Sequence, residues 1–344
     1  MKRVIYFDFL NVVACLAVVG MHVNSAFWTF RPDAAWVLNC FIEKSLVWAV
    51  PIFFMLTGAT LIRSVRDFDL RSYSRRRIGK TLFPFLFWSG GGLLFDVYVM
   101  RSVPANLSII DYINLVLTSS IPTTSVFWFF LPLFSIYMCL PLFICVEDGK
   151  KVSVFRFLSV SYIIVSSMSL LLARIGITLP NDFRLFVMEG WLFYPIAGYV
   201  LSRINFNRGC RYALYAAGLI GYTLSIFGTV EASFSQGALV NRFSTLLTPP
   251  YLFVPISLFV FVKQLSMSKA SFFDNNAGLL KRVAGLTFGV YLIHKFVLNG
   301  FLGLVKIDTA SIWWPFVGLI LVALLSFSVV AIIKKIPFIR KTVG

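Results

Sequence analysis

At 344 residues, 59% hydrophobic and only 13% charged, with a mean hydropathy of +0.86, the chain carries more apolar surface than a soluble fold can bury. A net charge of +17 on so apolar a chain argues against nucleic-acid binding and fits the charge bias of membrane loops. The five cysteines form no CxxC pair and the two histidines are far apart in sequence, which speaks against a disulfide framework or a metal centre.

A helix that crosses a bilayer needs about 20 mostly apolar residues. Ten runs approach or exceed that length, at about 4–26, 37–62, 81–100, 126–146, 154–173, 186–202, 212–230, 247–265, 283–303 and 311–333. The predicted fold is therefore an all-α polytopic membrane protein of about ten transmembrane helices, one domain over 1–344. The sixth run is the shortest and Pro195 interrupts it. With ten spans both termini share one side. Of the 31 Lys and Arg, 23 then fall on that side, six fall on the other, and Lys44 and Lys295 lie within spans. The bias predicts cytoplasmic termini. We find no internal repeat, no Walker A loop and no GxGxxG loop.

The first run is longer than a signal-peptide core and no small-residue cleavage site follows it, so it is expected to stay. It carries Asp8, Asn11 and His22. At 100° per residue Asn11 and His22 differ by about 20°, and Asp8 and His22 by about 40°. The three form one stripe, which should face the bundle interior. Asn11 to His22 spans about 16 Å of depth, which places His22 in the half of the membrane away from the termini. Ionisable residues inside spans are costly and therefore functional candidates. An imidazole suits a general base, since it can take a proton from a hydroxyl at neutral pH.

In the second run Glu43 and Lys44 lie in the turns away from the termini; Glu189 opens the sixth. Either carboxylate could orient an imidazole or pair with an arginine. The segment 63–80 reads as a basic loop, with Arg75, Arg76, Arg77 and Lys80 at the start of the third span. Such a cluster serves as a topology signal or as a site for a phosphate-rich cofactor, since Arg grips phosphate bidentately. Arg77 and Lys80, at i and i+3, should share a helix face. His294 and Lys295 sit midway along the ninth run and imply a polar cavity, or a helix-to-helix hydrogen bond. These features alone leave an enzyme and a non-catalytic exporter of a glycan or lipid-linked sugar equally open.

Five segments carry a resemblance. They are Phe7-Asp8-Phe9-Leu10 with Met21-His22, then Val50-Pro51-Ile52-Phe53-Phe54-Met55-Leu56-Thr57-Gly58, then Arg75-Arg76-Arg77-Ile78-Gly79-Lys80 running into Leu82-Phe83-Pro84-Phe85. Phe127-Trp128-Phe129-Phe130-Leu131-Pro132-Leu133 and Gly289-Val290-Tyr291-Leu292-Ile293-His294 complete the set. In this order they resemble the acyltransferase type 3 family of integral membrane O-acyltransferases. The resemblance implies transfer of an acyl group, commonly acetyl from acetyl-CoA, to a hydroxyl of O-antigen, enterobacterial common antigen, capsule or exopolysaccharide. It implies a multi-pass protein of the bacterial cytoplasmic (inner) membrane, with membrane lipids, an acyl-CoA donor and a glycan acceptor as partners and no nucleic acid. It implies His22 as the catalytic histidine and Arg76, Arg77 and Lys80 as donor residues. Asn11 stands where the family usually has Arg or Lys, so a neighbouring cation such as Lys295 or an arginine would have to substitute. Thr57 stands where Ser is usual, and a covalent acyl-enzyme on His22 or Thr57 is an open alternative to direct transfer.

Overall fold

The computed structural model describes residues 3–173, 176–180, 182–241 and 246–344, so Lys2, Arg174 and Arg242 lie outside the described residues. The described residues hold fifteen α-helices and no strand. In chain order these are α1 (Ile5–Val23), α2 (Ala34–Lys44), α3 (Ala49–Leu61), α4 (Leu70–Tyr98), α5 (Ile109–Leu117), α6 (Phe130–Ile144), α7 (Lys151–Tyr162) and α8 (Met168–Ala173). They continue with α9 (Phe193–Arg203), α10 (Arg208–Gln236), α11 (Phe253–Ser268), α12 (Ala270–Asn275), α13 (Ala277–Ala284), α14 (Thr287–Leu304) and α15 (Trp314–Ile333). Large apolar side chains coat the outside, among them Leu142, Phe157, Ile164, Phe227 and Ile320. A shell of that kind has lipid as its solvent.

Seven helical stretches among the described residues are long and apolar enough to cross a membrane: Ile5–Val23, Ala34–Leu61, Ser125–Ile144, Lys151–Ala173, Arg208–Gln236, Thr287–Leu304 and Trp314–Ile333. They match seven of the ten predicted runs. The third run belongs to α4, whose 29 residues begin well before the apolar stretch. The Asp69 carboxylate accepts the Ser72 amide at 2.7 Å and starts this helix early, so residues 70–80 are helical rather than loop. The eighth run is the 16-residue α11. The sixth run departs most, because two 3₁₀ turns precede α9, which has only 11 residues. That is about half the hydrocarbon thickness. Every residue of Phe193–Leu201 is buried, so protein rather than lipid surrounds this short helix. Glycines permit the burial. A Cβ on Gly58 would lie 1.8 Å from the Pro195 carbonyl oxygen, and one on Gly198 2.2 Å from that of Met55. α3 and α9 therefore touch backbone to backbone.

The second predicted run is one span in two pieces. Between α2 and α3 the chain leaves the α-helix at residues 45–48. Ser45 Oγ donates to the Phe41 carbonyl at 2.8 Å and Trp48 Nε1 to the Ser45 carbonyl at 2.6 Å. Tyr251 Oη satisfies the carbonyl of Lys44 at 3.0 Å. Irregular backbone at membrane depth survives only where protein or a wet cavity covers it. This break sits at Glu43 and Lys44.

α1 and α14 run side by side in the same direction. Asn11 meets Thr287 near their first turns, and His22 meets His294 deeper in. Arg3 and Gly344 both lie on the side where these helices begin, here termed the terminal face. On that face Asp148 ties the segment after α3 to the turn before α7. Its carboxylate accepts the Lys151 ammonium and the Ser64 hydroxyl, which in that order hold its pKa down at about 2.

Candidate active site

Two cavities enter the bundle from opposite faces. The first, of about 340 Å³, opens at the terminal face and is lined by Asp8, Asn11, Thr57, Thr60, Thr81, Tyr137 and Thr287 among apolar residues. The second, of about 230 Å³, is lined by His22, Glu43, Lys44 and Asn241, with the rings of Trp28 and Trp128. Phe53, Phe129 and Tyr291 are common to both linings. These three rings form a wall between the cavities. Tyr291 is held there by its hydroxyl, which donates to the Val126 carbonyl.

The stripe predicted for α1 does face inward, and the wall divides it. Asp8 and Asn11 lie on the terminal side and His22 on the other. Asp8 is paired with Arg3 through two hydrogen bonds, at 2.6 and 2.7 Å. An arginine thus reaches the end of this stripe from before α1, although Arg3 itself lines neither cavity. The Asn11 amide donates to Thr287 Oγ1 at 3.0 Å, and Thr287 in turn donates to the Ala284 carbonyl at 2.8 Å. The hydroxyl of Thr57 donates to the Phe53 carbonyl at 2.9 Å, a bond internal to its own helix.

His294 is fully buried and its ring lies 5.2 Å from that of His22, centroid to centroid, tilted by 36°. Its Nδ1 lies 2.8 Å from the Tyr291 carbonyl and 3.2 Å from that of Val290. Carbonyls only accept, so Nδ1 carries the hydrogen and Nε2 keeps its lone pair. Nε2 is buried and has no hydrogen-bond partner among the described residues. The site thus holds a buried acceptor without a donor beside a second imidazole, an uncommon arrangement in a folded protein. Lys295 lies within electrostatic range of His22 and of Asp96.

The remaining candidates separate. Glu43 accepts from Asn24 Nδ2 at 3.2 Å on the wall of the His22 cavity, while the Lys44 ammonium donates to the Asn241 side chain. Glu189 is elsewhere, half-exposed, 3.5 Å from Arg184, on an apolar groove beside α6 and α7. It lines neither the terminal-face cavity nor that of His22, so of its two predicted roles it takes the arginine pair. The basic quartet also divides. Arg76 and Arg77 line a hollow of about 110 Å³ with Asp67, Asp69 and Tyr73. Tyr73 Oη donates at 2.9 Å to the carbonyl of Tyr137, which lines the terminal-face cavity. Thr81, one turn after Arg77, lines that cavity too. Lys80 instead lines a separate groove with Lys334, Arg340 and Lys341, and Arg75 lines none of these hollows. The shared face expected for Arg77 and Lys80 is therefore split between two hollows.

Several residues of the site were passed over in the sequence reading. Asp96 is buried, and its carboxylate accepts the Thr123 amide at 2.7 Å and the Thr123 hydroxyl at 2.6 Å. An acid inside an apolar run was a readable signal. Asn241 and Thr287 carried none, because each is an ordinary polar residue until the fold places it.

A family model described as an acyltransferase domain matches residues 4–333. No curated protein and no solved structure matches the chain. The match covers nearly all of the 344 residues and agrees with the resemblance carried by the five segments. The chain belongs to the acyltransferase type 3 family and is a multi-pass membrane protein with an acyltransferase domain.

Proposed function

We propose that this protein is an O-acetyltransferase of the bacterial inner membrane that moves an acetyl group from acetyl-CoA to a hydroxyl of a surface glycan or its lipid-linked precursor. One observation carries this reading: a cavity from each face reaches a common aromatic wall, with His22 on the side away from the termini. The donor and the acceptor need not then approach from the same side.

The donor's phosphates would rest on Arg76 and Arg77, and its pantetheine arm would descend past Thr81 into the terminal-face cavity. Rotation of Phe53, Phe129 and Tyr291 would let the thioester meet His22. The acceptor's site suits a sugar. The Trp28 and Trp128 rings offer apolar faces, while Glu43, Lys44 and Asn241 offer hydrogen-bonding groups. His22 would take the proton of the attacking hydroxyl as its oxygen bonds to the acetyl carbon. The carbon–sulfur bond then breaks, and the coenzyme A thiolate leaves and picks up a proton. Direct transfer is favoured over a threonyl intermediate. The Thr57 proton is committed to its own helix, and the nearest histidines lie beyond the wall.

The test is mass spectrometry of surface glycans from cells with the gene deleted and restored. A base-labile O-acetyl group that vanishes on deletion and returns with the gene is the expected result. Unchanged acetylation with altered glycan amount or length would identify an exporter and overturn the proposal.

The donor residues have their own signature. Arg77→Ala is expected to raise the KM for acetyl-CoA by about tenfold or more with little change in kcat, because a charge-assisted bond to a phosphate is worth roughly 1.5–3 kcal/mol. Arg77→Lys should recover part of that loss, keeping the charge without the bidentate fork. Steady-state kinetics at varied donor concentration reads both. The same change at Arg75, which lines neither the Arg76–Arg77 hollow nor the terminal-face cavity, should leave KM close to wild type.

A further inference from the structure

The groove that takes Lys80 away from the other arginines is a site in its own right. It measures about 550 Å³ and lies between α4 and the residues that follow α15. One wall is Gly79, Lys80, Phe83 and Pro84; the other carries Lys334, Arg340, Lys341 and the main chain of Gly344, whose carboxylate is the one anionic group on the lining. Four cations thus surround one hollow, and none of them pairs with a carboxylate side chain among the described residues. The hollow beside Arg76 and Arg77 is more nearly balanced in charge, with two aspartate side chains, Asp67 and Asp69, against its three arginines.

The far wall is anchored rather than trailing. Trp88 Nε1 donates to the Thr342 carbonyl at 3.0 Å, and Thr342 and Val343 are buried. Lys334 Nζ donates to the Gly285 carbonyl at 2.6 Å. Arg340 and Lys341 therefore project from a fixed 3₁₀ turn, Arg340–Thr342. On the near wall Pro84 has no N–H, which leaves the Lys80 carbonyl without its helical donor. That carbonyl can accept a hydroxyl. The groove continues onto lipid-facing surface, because Phe83 and Phe87 are successive rings along α4 and are 52% and 45% exposed.

We propose that this groove binds the headgroup of an anionic phospholipid. The phosphodiester would sit among Lys80, Arg340 and Lys341, a headgroup hydroxyl would reach the Lys80 carbonyl, and the acyl chains would lie along Phe83 and Phe87. Charge complementarity at the membrane edge and the aromatic strip leading away from the cations favour a lipid over a free phosphate. The site uses no residue that lines either central cavity. It does not depend on the proposed reaction.

The test is native mass spectrometry of the full chain in detergent, titrated with phosphatidylglycerol or phosphatidylcholine. Wild type should bind one phosphatidylglycerol well above any phosphatidylcholine. The double variant Arg340→Gln/Lys341→Gln should weaken it by about thirtyfold, as expected for two cations lost from an anionic surface. The single variant Lys80→Gln, on the other wall, should weaken it by about fivefold. Lys335→Gln/Lys269→Gln removes the same charge outside the groove and should match wild type. Equal weakening in that control would reduce the groove to general surface charge and overturn the proposal. So would displacement of the lipid by coenzyme A, which would make the groove a free-phosphate site.

Discussion

His22→Ala is expected to lower acyl transfer by two to four orders of magnitude, the range a positioned general base supplies. The variant should still fold. His22 lines a cavity rather than filling the core, so truncation enlarges a hollow that already exists. Donor binding should also survive, because Arg76 and Arg77 lie on the terminal side of the aromatic wall. The expected pattern is therefore kcat reduced by at least about a hundredfold with the KM for acetyl-CoA within a few fold of wild type. Transfer of acetyl from labelled acetyl-CoA to glycan, on protein of unchanged thermal stability, is the measurement. Wild-type turnover in His22→Ala would remove His22 from the mechanism and shift the search to His294.

What the sequence disclosed follows from what determines each feature. Hydropathy is a local property, so seven helical stretches long enough to cross the membrane stand where apolar runs do. Helical phase is local as well, and Asp8, Asn11 and His22 all face the interior as the 100° step requires. The aromatic wall that divides this stripe is not local. It is made by Phe53 of α3, Phe129 just before α6 and Tyr291 of α14, three rings that no spacing rule connects. The basic quartet is divided between hollows for the same reason. Neighbours on one helix are close in angle, but which hollow each enters depends on what packs beside α4, and the chain's last residues claim Lys80. The break between α2 and α3 was hidden because residues 34–61 are apolar enough to read as one continuous span. Only Glu43 and Lys44 marked the place, and their partners Asn24 and Asn241 arrive from elsewhere in the chain.

Removal of the second imidazole should also lower kcat, by less than removal of His22. His294→Ala is expected to reduce kcat by about ten- to a hundredfold without changing the KM for acetyl-CoA, within the range of losses seen when a group that orients a catalytic residue is removed. Two carbonyls fix the tautomer of His294, leaving Nε2 as a buried acceptor 5.2 Å, ring to ring, from His22. A small rotation of His22 would let one of its nitrogens donate to that lone pair. Its other nitrogen would then be held as the base, which is the logic by which a third group orients a catalytic imidazole. A merely structural His294 predicts otherwise. Its loss would lower stability and leave kcat per folded molecule unchanged. His294→Gln separates the two readings, because its amide oxygen can accept from His22 while its amide nitrogen donates to the carbonyls. Partial recovery of kcat in His294→Gln over His294→Ala, at equal thermal stability, is the expected outcome. Equal kcat in both variants and the wild type would leave His22 to act alone, with Lys295 as the charged group in electrostatic range of it.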